Sequence, residues 1–352
     1  MIPYWLLFAV FAFPAALTKE QSRQRTLLGF LISAIVLTVM IGLRKHVGGD
    51  WNAYDEIFHR LRLLSMTTSL TTIDPAYAFV NWWTGNAGLG VWFVNLVCAA
   101  IFTYGFLIFC REQLNPALAI LVGIPYLVIV VAMGYTRQGA ALGLVMAALT
   151  YYFRGATVRM AMNLTLAIMF HKSAVIVIPL VALASSRRRA LTFLLLGVVG
   201  GVTYYLFVSS SLDRLVANYV AAGYSSSGAA IRIAMNLVPA TIFLLFWRRF
   251  QLSRDQLRLW TIFSVGSFVA LGLLLTTPSS TAVDRISLYL IPLQIFVLSR
   301  VPRVFSKTAN ASVGLKFAII MYSAAVQFTW LNYAENSSAW VPYNSYLTDW
   351  MS

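Results

Sequence analysis

The chain has 352 residues, of which 60% are hydrophobic and only 11% charged. Soluble domains carry about 25% charged residues, and apolar runs recur here up to residue 331 with no soluble stretch between them. A soluble core is excluded, and so is a nucleic-acid binder, because the net charge of +15 is scattered between apolar runs and not gathered on one face.

The composition implies an all-α polytopic membrane protein, with residues 1–352 forming a single integral membrane domain. The first apolar run, 2–18, has no Lys or Arg before it, and Lys19, Arg23 and Arg25 follow it, the reverse of a secretory signal. It is expected to be retained as a span, with its N-terminus outside. Further full spans are expected at 27–43, 88–110, 117–133, 137–153, 191–211, 231–247, 257–277, 286–300 and 314–331. That makes about ten segments near the length a bilayer requires. Cys98 and Cys110 lie in one of them, roughly 18 Å apart along a helix, too far for a disulfide. The pairs Gly139/Gly143 and Gly197/Gly201 are expected to be helix-packing contacts.

Segment 159–186 does not fit this series, because His171 and Lys172 interrupt it near the middle. Each half reaches only roughly 20 Å as helix. A re-entrant-like hairpin that returns to its own side keeps Arg159 and Arg187, Arg188 and Arg189 cytoplasmic, with most of the 26 Lys and Arg. Only Glu20, Glu112 and Asp255 of the 11 acids then lie inside. This is the positive-inside asymmetry, and a single crossing would invert it. His171 and Lys172, at the tip, are expected to face an outward cavity; the alternative is that they snorkel at the outer interface.

The longest connection, 44–86, is expected to be a periplasmic loop with an amphipathic helix near 52–66 lying on the membrane surface. Its apolar positions are Tyr54, Ile57, Phe58, Leu61 and Leu64. Gly48 and Gly49 permit a tight backbone just before it. Four more polar groups are expected outside: Tyr135 to Gln138; Asp284 and Arg285 with Tyr289; Tyr224 to Ser227 followed by Arg232; and the tail 332–352. That tail has no Lys or Arg but holds Trp340, Pro342, Tyr343 and Trp350, suited to an interface belt or to sugar stacking.

Arg44, Arg137 and Arg285 each end a different span on the outer side. With Lys172 they form a candidate clamp for a polyanion such as pyrophosphate, since guanidinium forks match phosphate oxygens; snorkelling to headgroups is the alternative. There is no Walker motif, no G-x-G-x-x-G, no zinc-type Cys/His spacing and no Asp-x-Asp pair.

Taken in order, Arg44, Gly48, Asp50 and Tyr54, then Tyr135, Arg137 and Gln138, then Phe170 to Ala174, then Asp284, Arg285 and Tyr289, then Trp340, Pro342 and Tyr343 form a pattern. The pattern resembles EpsG-like proteins, which belong with the Wzy-type polymerases of bacterial exopolysaccharide, capsule and O-antigen, and it extends over residues 4–347. The resemblance implies a multi-pass protein of the bacterial inner membrane with both termini periplasmic. It implies a glycosyltransferase that joins undecaprenyl-pyrophosphate-linked oligosaccharide units, with no cofactor, metal, nucleotide or nucleic acid, and with a chain-length regulator as a further partner.

Transfer needs a base for the attacking hydroxyl and positive charge for the leaving group. His171 or Asp50 is the candidate base, and Arg44, Arg137, Arg285 and Lys172 are the candidate pyrophosphate ligands. Tyr54, Gln138, Asp284 and Tyr289 are candidate substrate contacts. The competing readings are an O-antigen ligase-type transferase, a flippase and a membrane acyltransferase; the last is disfavoured because the first span lacks the arginine and histidine of that pattern.

Overall fold

A computed structural model describes residues 1–17, 26–185, 189–203, 228–277 and 280–351. Among these the chain is helical, and the single β-bridge pairs Arg44 with Ser345. The expected features at 19–25, 187–188, 204–211 and 224–227 lie outside the described residues, as do Pro278 and Ser279.

Most expected spans become helices close to their predicted bounds: α1 Ile2–Leu17, α2 Thr26–Gly42, α6 Val91–Arg111, α8 Thr136–Phe153, α12 Ala229–Phe246, α13 Arg254–Thr276 and α17 Ala309–Tyr333. Helix α9, Thr157–Phe170, is the first arm of the expected hairpin, and α11, Arg189–Thr203, is the described part of the expected span 191–211. Among the described residues four helical stretches are long and apolar enough to cross a bilayer alone: Val91–Arg111, Ala229–Phe250, Arg254–Thr276 and Ala309–Tyr333. A bent pair of helices passes the same test only when its two halves are taken together, and several shorter apolar helices accompany them. The class is therefore that of an all-α, multi-pass membrane protein.

Two expected straight spans are interrupted. The run 117–133 starts as α7, Pro116–Gly123, and continues as a π-helical stretch over Ile124–Ala132. Pro125 lacks an N–H and its ring crowds the preceding turn, which favours such a widening. Every residue from Leu118 to Gly134 is buried. A helix that is apolar on all sides belongs in the interior of a bundle, and α1, α6, α17 and α15, Pro292–Leu298, pack around this one. The second interruption replaces the straight span 286–300 with two stretches, Ser280–Leu290 and Pro292–Phe305, bent by 43°. The first begins as α14, Ser280–Ser287, and the second ends as α16, Val301–Phe305. Pro292 stands at the break and cannot continue the hydrogen-bond ladder.

The region 44–86 contains three helices, not one. The amphipathic helix is α3, Trp51–Leu61, shorter than expected; α4 covers Met66–Thr72 and α5 Pro75–Asn86. The apolar face of α3 (Trp51, Tyr54, Phe58, Leu61) is buried and packs on α5 and α6. Protein, not a bilayer surface, covers it.

Small residues set the closest crossing. A Cβ on Gly105 of α6 would fall 1.8 Å from the Gly143 carbonyl oxygen of α8, the close backbone approach that membrane helices use in place of a hydrophobic driving force. Gly139 also packs closely, its Cβ position 3.0 Å from Ala132 Cα. Gly197 and Gly201 depart from expectation, since a Cβ on either meets nothing within 4 Å among the described residues. Cys98 and Cys110 are buried free thiols.

The bundle has two polar ends. Helix α8 separates them by roughly 27 Å along its 18 residues. At one end Arg154 pairs with Glu112, Arg300 donates to Gln113, and Tyr152 lies near Asp255 and Arg258. The other end gathers residues 44–50, 74, 135–138, 171–173 and 284–289.

Candidate active site

At this second end lies, first, a collar. Helix α2 finishes at Gly42, and Arg44 turns back against it. Arg44 Nη1 donates to the Ile41 carbonyl at 2.6 Å, Nε to the Val47 carbonyl at 3.2 Å and Nη2 to Thr136 Oγ1 at 2.7 Å. The Ile41 carbonyl belongs to the last turn of α2, where acceptors lack intrahelical partners and cations are favoured. The side chain is 1% exposed.

The C-terminal tail closes over it. Tyr343 OH donates to Met40 O, Ser345 Oγ to Leu43 O and the Lys45 N–H to Asn344 O. Trp340 is buried, and its Nε1 donates to Ile129 O at 2.8 Å. Two glycines make room. A Cβ on Gly134 would lie 2.4 Å from the Trp340 ring, and Gly48, at φ +111°, would drive one to 2.7 Å from Met133 O. Trp340 is thus a core side chain, and the expectation of an interfacial or sugar-stacking ring fails for it.

Beside the collar, across Thr136, is a charged cluster. Arg137, in the first turn of α8, places Nη1 2.8 Å from Asp74 Oδ2. Its guanidinium lies 5.9 Å from the Tyr54 ring and 5.8 Å from the Tyr77 ring. Asp74 Oδ1 also accepts the backbone N–H of Lys172 at 3.2 Å. His171 is the break between α9 and a 3-10 turn, Lys172–Ile176, with extended backbone at φ −157° and ψ 113°. The turn leads into α10, Val177–Ala184. His171 Nδ1 accepts the Ser173 N–H at 3.4 Å and lies 2.5 Å from Ser173 Oγ, which is 3.1 Å from Tyr289 OH. Arg137, Arg285 and Lys172 all act electrostatically on the His171 ring. Gln138 donates to the Arg285 carbonyl at 2.7 Å, fixing the backbone from which that arginine projects.

Asp50 precedes α3 but makes no cap bond to it. Burial raises its carboxyl above the ordinary aspartate value, while Arg285 and Arg137 pull it back down. Burial raises Asp74 as well, with Arg137 and the Lys172 N–H opposing. Among the described residues no group of three His, Cys, Asp or Glu side chains converges as metal ligands would.

The ten residues singled out in the sequence divide evenly. Asp50, Arg137, His171, Lys172 and Arg285 are half-buried and share one neighbourhood. Arg44, Tyr54, Gln138, Asp284 and Tyr289 are buried. Arg44 is corrected from a pyrophosphate ligand to a strut, because each of its nitrogens already serves a protein acceptor. Asp284 is corrected from a sugar contact, since Arg232 Nε and Nη2 bind its two oxygens at 2.6 Å each. Tyr289 and Gln138 hold other site residues in place, and Tyr54 lies beneath Arg137. Asp74 was missed. The signal available was Asp74-Pro75, an acidic residue next to a proline at the first position of a helix.

Fold and site together define a multi-pass membrane protein carrying cations, a histidine and two carboxylates at one end of its bundle. Residues 27–345 match the model of the EpsG family, and the chain belongs to that family. Membership makes it a protein of polysaccharide biosynthesis, of the polymerase kind. No curated protein sequence matches it.

Proposed function

We propose that the protein polymerises polysaccharide at the outer face of the bacterial inner membrane. It joins oligosaccharide repeat units carried on undecaprenyl pyrophosphate and uses neither metal nor nucleotide. The observation that carries this reading is the convergence of Arg137, Lys172 and Arg285, from three distant parts of the chain, around His171 with Asp50 alongside. The basic residues gathered at the opposite end support the sidedness.

In the reaction, an acceptor hydroxyl attacks the anomeric carbon of the lipid-linked chain. The bond from that carbon to the phosphate oxygen breaks, and its electron pair leaves with the pyrophosphate. Arg137, Arg285 and Lys172 receive the developing charge, where preorganised cations in a poorly solvated site act most strongly. The hydroxyl proton goes to a base, and the geometry favours Asp50 over His171. In the His171 tautomer whose Nδ1 accepts the Ser173 N–H, the neutral ring carries its proton on Nε2. It is then set to donate to a phosphate oxygen and not to take a proton. The Asp50 carboxylate has no hydrogen bond among the described residues, and burial gives it a higher proton affinity than an ordinary aspartate.

The test is polymerisation in vitro. Purified protein with its native lipid-linked repeat unit, and without metal or nucleotide, should yield a carbohydrate ladder. Consumption of the unit without a ladder would point to a ligase-type transfer, and an intact unit would remove the enzymatic reading.

A further inference from the structure

Asp74 has no part in the reaction as proposed, yet it joins three elements of the site. An aspartate at the N-terminus of a helix ordinarily accepts N–H groups of that helix. Asp74 makes no such bond to α5. Its two oxygens are turned outward instead, Oδ2 to Arg137 Nη1 of α8 and Oδ1 to the N–H of Lys172 in the turn after α9. Pro75 follows it and has no N–H to offer, which removes one local competitor for the carboxylate. The carboxylate is 7% exposed, so it is a buried charge balanced by one cation.

Helix α5 also brings Tyr77, one turn beyond Asp74, against the same guanidinium. Arg137 is thereby held on one edge by an anion and on one face by an aromatic ring. The Arg137 side chain stays partly exposed, at 25%. A guanidinium fixed along one edge keeps donors for a second anion. The residue after the Asp74-bound N–H is Ser173, the partner of His171, so the same carboxylate also sets the height of the turn that carries His171 and Lys172.

We propose that Asp74 is a positioning residue for the transfer: it locks Arg137 and the His171–Lys172 turn in one register, so that all three meet the leaving pyrophosphate together. The proposal rests on the polymerase reading and adds a residue to it.

The experiment compares full-length wild type with Asp74→Asn, Asp74→Glu, Arg137→Gln and the double variant Asp74→Asn/Arg137→Gln. Initial rates are measured on the native lipid-linked unit. Inhibition by inorganic pyrophosphate and the melting midpoint in detergent are recorded alongside. Asp74→Asn keeps an acceptor for the Lys172 N–H but loses the charge that holds Arg137. Its kcat, referred to folded protein, should fall on the order of a hundredfold, the scale of a misplacement near one ångström, with a smaller change in KM; the melting midpoint should also drop, because Arg137 loses its buried partner. Asp74→Glu should recover part of the rate. The double variant should be no slower than Arg137→Gln alone, and pyrophosphate inhibition should weaken in parallel.

A wild-type kcat in Asp74→Asn would overturn the proposal. So would losses that multiply in the double variant, or a loss of rate in both Asp74 variants that disappears when rates are referred to the folded protein present. If wild type itself makes no ladder, the polymerase reading fails first, while the shift of the melting midpoint on adding inorganic pyrophosphate, compared across the same variants, still reports whether Asp74 acts through Arg137.

Discussion

Arg44 and Arg137 are the same feature in the sequence, an arginine at the end of an apolar run, and they end up on either side of Thr136 doing different work. Arg44 is enclosed by neutral acceptors and by the tail, with Tyr343 and Ser345 on neighbouring carbonyls. Arg137 is balanced by a carboxylate, stacked on two tyrosines and left partly exposed. A cation that is 1% exposed, with each nitrogen bonded inside the protein, holds the fold. One held along a single edge can still take an incoming anion. The collar and the cluster therefore should respond to substitution in separable ways, the first through stability and the second through rate.

The largest effect is expected at Asp50. Asp50→Asn should lower polymerisation by about 10²–10⁴, the usual contribution of a positioned base. As a base, Asp50 acts when ionised, so wild-type activity should be lost as pH falls through its raised value. The acidic limb of the profile should accordingly lie above the ordinary aspartate value of 3.8. The stability consequence has the opposite sign. A carboxyl with a raised folded-state value contributes stability that is full below the unfolded value and is lost as pH rises through the folded one. Asp50→Asn should thus melt no earlier than wild type at neutral pH. An inactive variant that also melts early would place Asp50 with the collar.

Arg285→Ala should come next, with a loss of about 10²–10³ in kcat, the scale of removing one stabilising donor from a developing oxyanion. Its melting midpoint should hold. Rates measured with added guanidinium are a further check, since partial rescue would mark a missing charge and not a lost fold.

The smallest change in rate, and the clearest contrast, belongs to Arg44→Ala. It strips partners from the Ile41 and Val47 carbonyls and from Thr136, at about 1–3 kcal/mol for each buried group left unsatisfied. Folded yield and melting midpoint should drop, while the kcat of the surviving folded protein stays within a factor of a few of wild type. A stable Arg44→Ala protein that has lost polymerisation would return Arg44 to the clamp and erase the distinction between the two regions.

Much of the site was legible because charge is rare in this chain, so each cation between apolar runs stands out. His171 and Lys172 were conspicuous inside a hydrophobic segment, and the helix does break at His171. Asp74 was not conspicuous, because an Asp-Pro pair in a polar loop reads as a helix start and nothing more. Trp340 misled for a related reason. An aromatic near a polar terminus resembles an interface anchor, and only its contact with Gly134 and Ile129 reveals a core residue. The bend at Pro292 and the π-helical stretch after Gly123 were hidden too, since a proline marks where a helix is weakened but not how its neighbours resolve the strain.

The sequence by itself determined the class of the protein and the division of its polar residues between two ends. Bilayer thickness dictates the length of apolar runs, and charge cannot be placed within them cheaply. Tertiary structure alone decided which arginine is enclosed by the fold and which stays partly exposed beside a histidine and a second carboxylate, and that Asp284 belongs to Arg232 and Asp74 to Arg137. Those outcomes depend on which carbonyls and carboxylates come within about 3 Å of each guanidinium, and residues 52 to 92 positions apart in the chain meet only once the helices have packed.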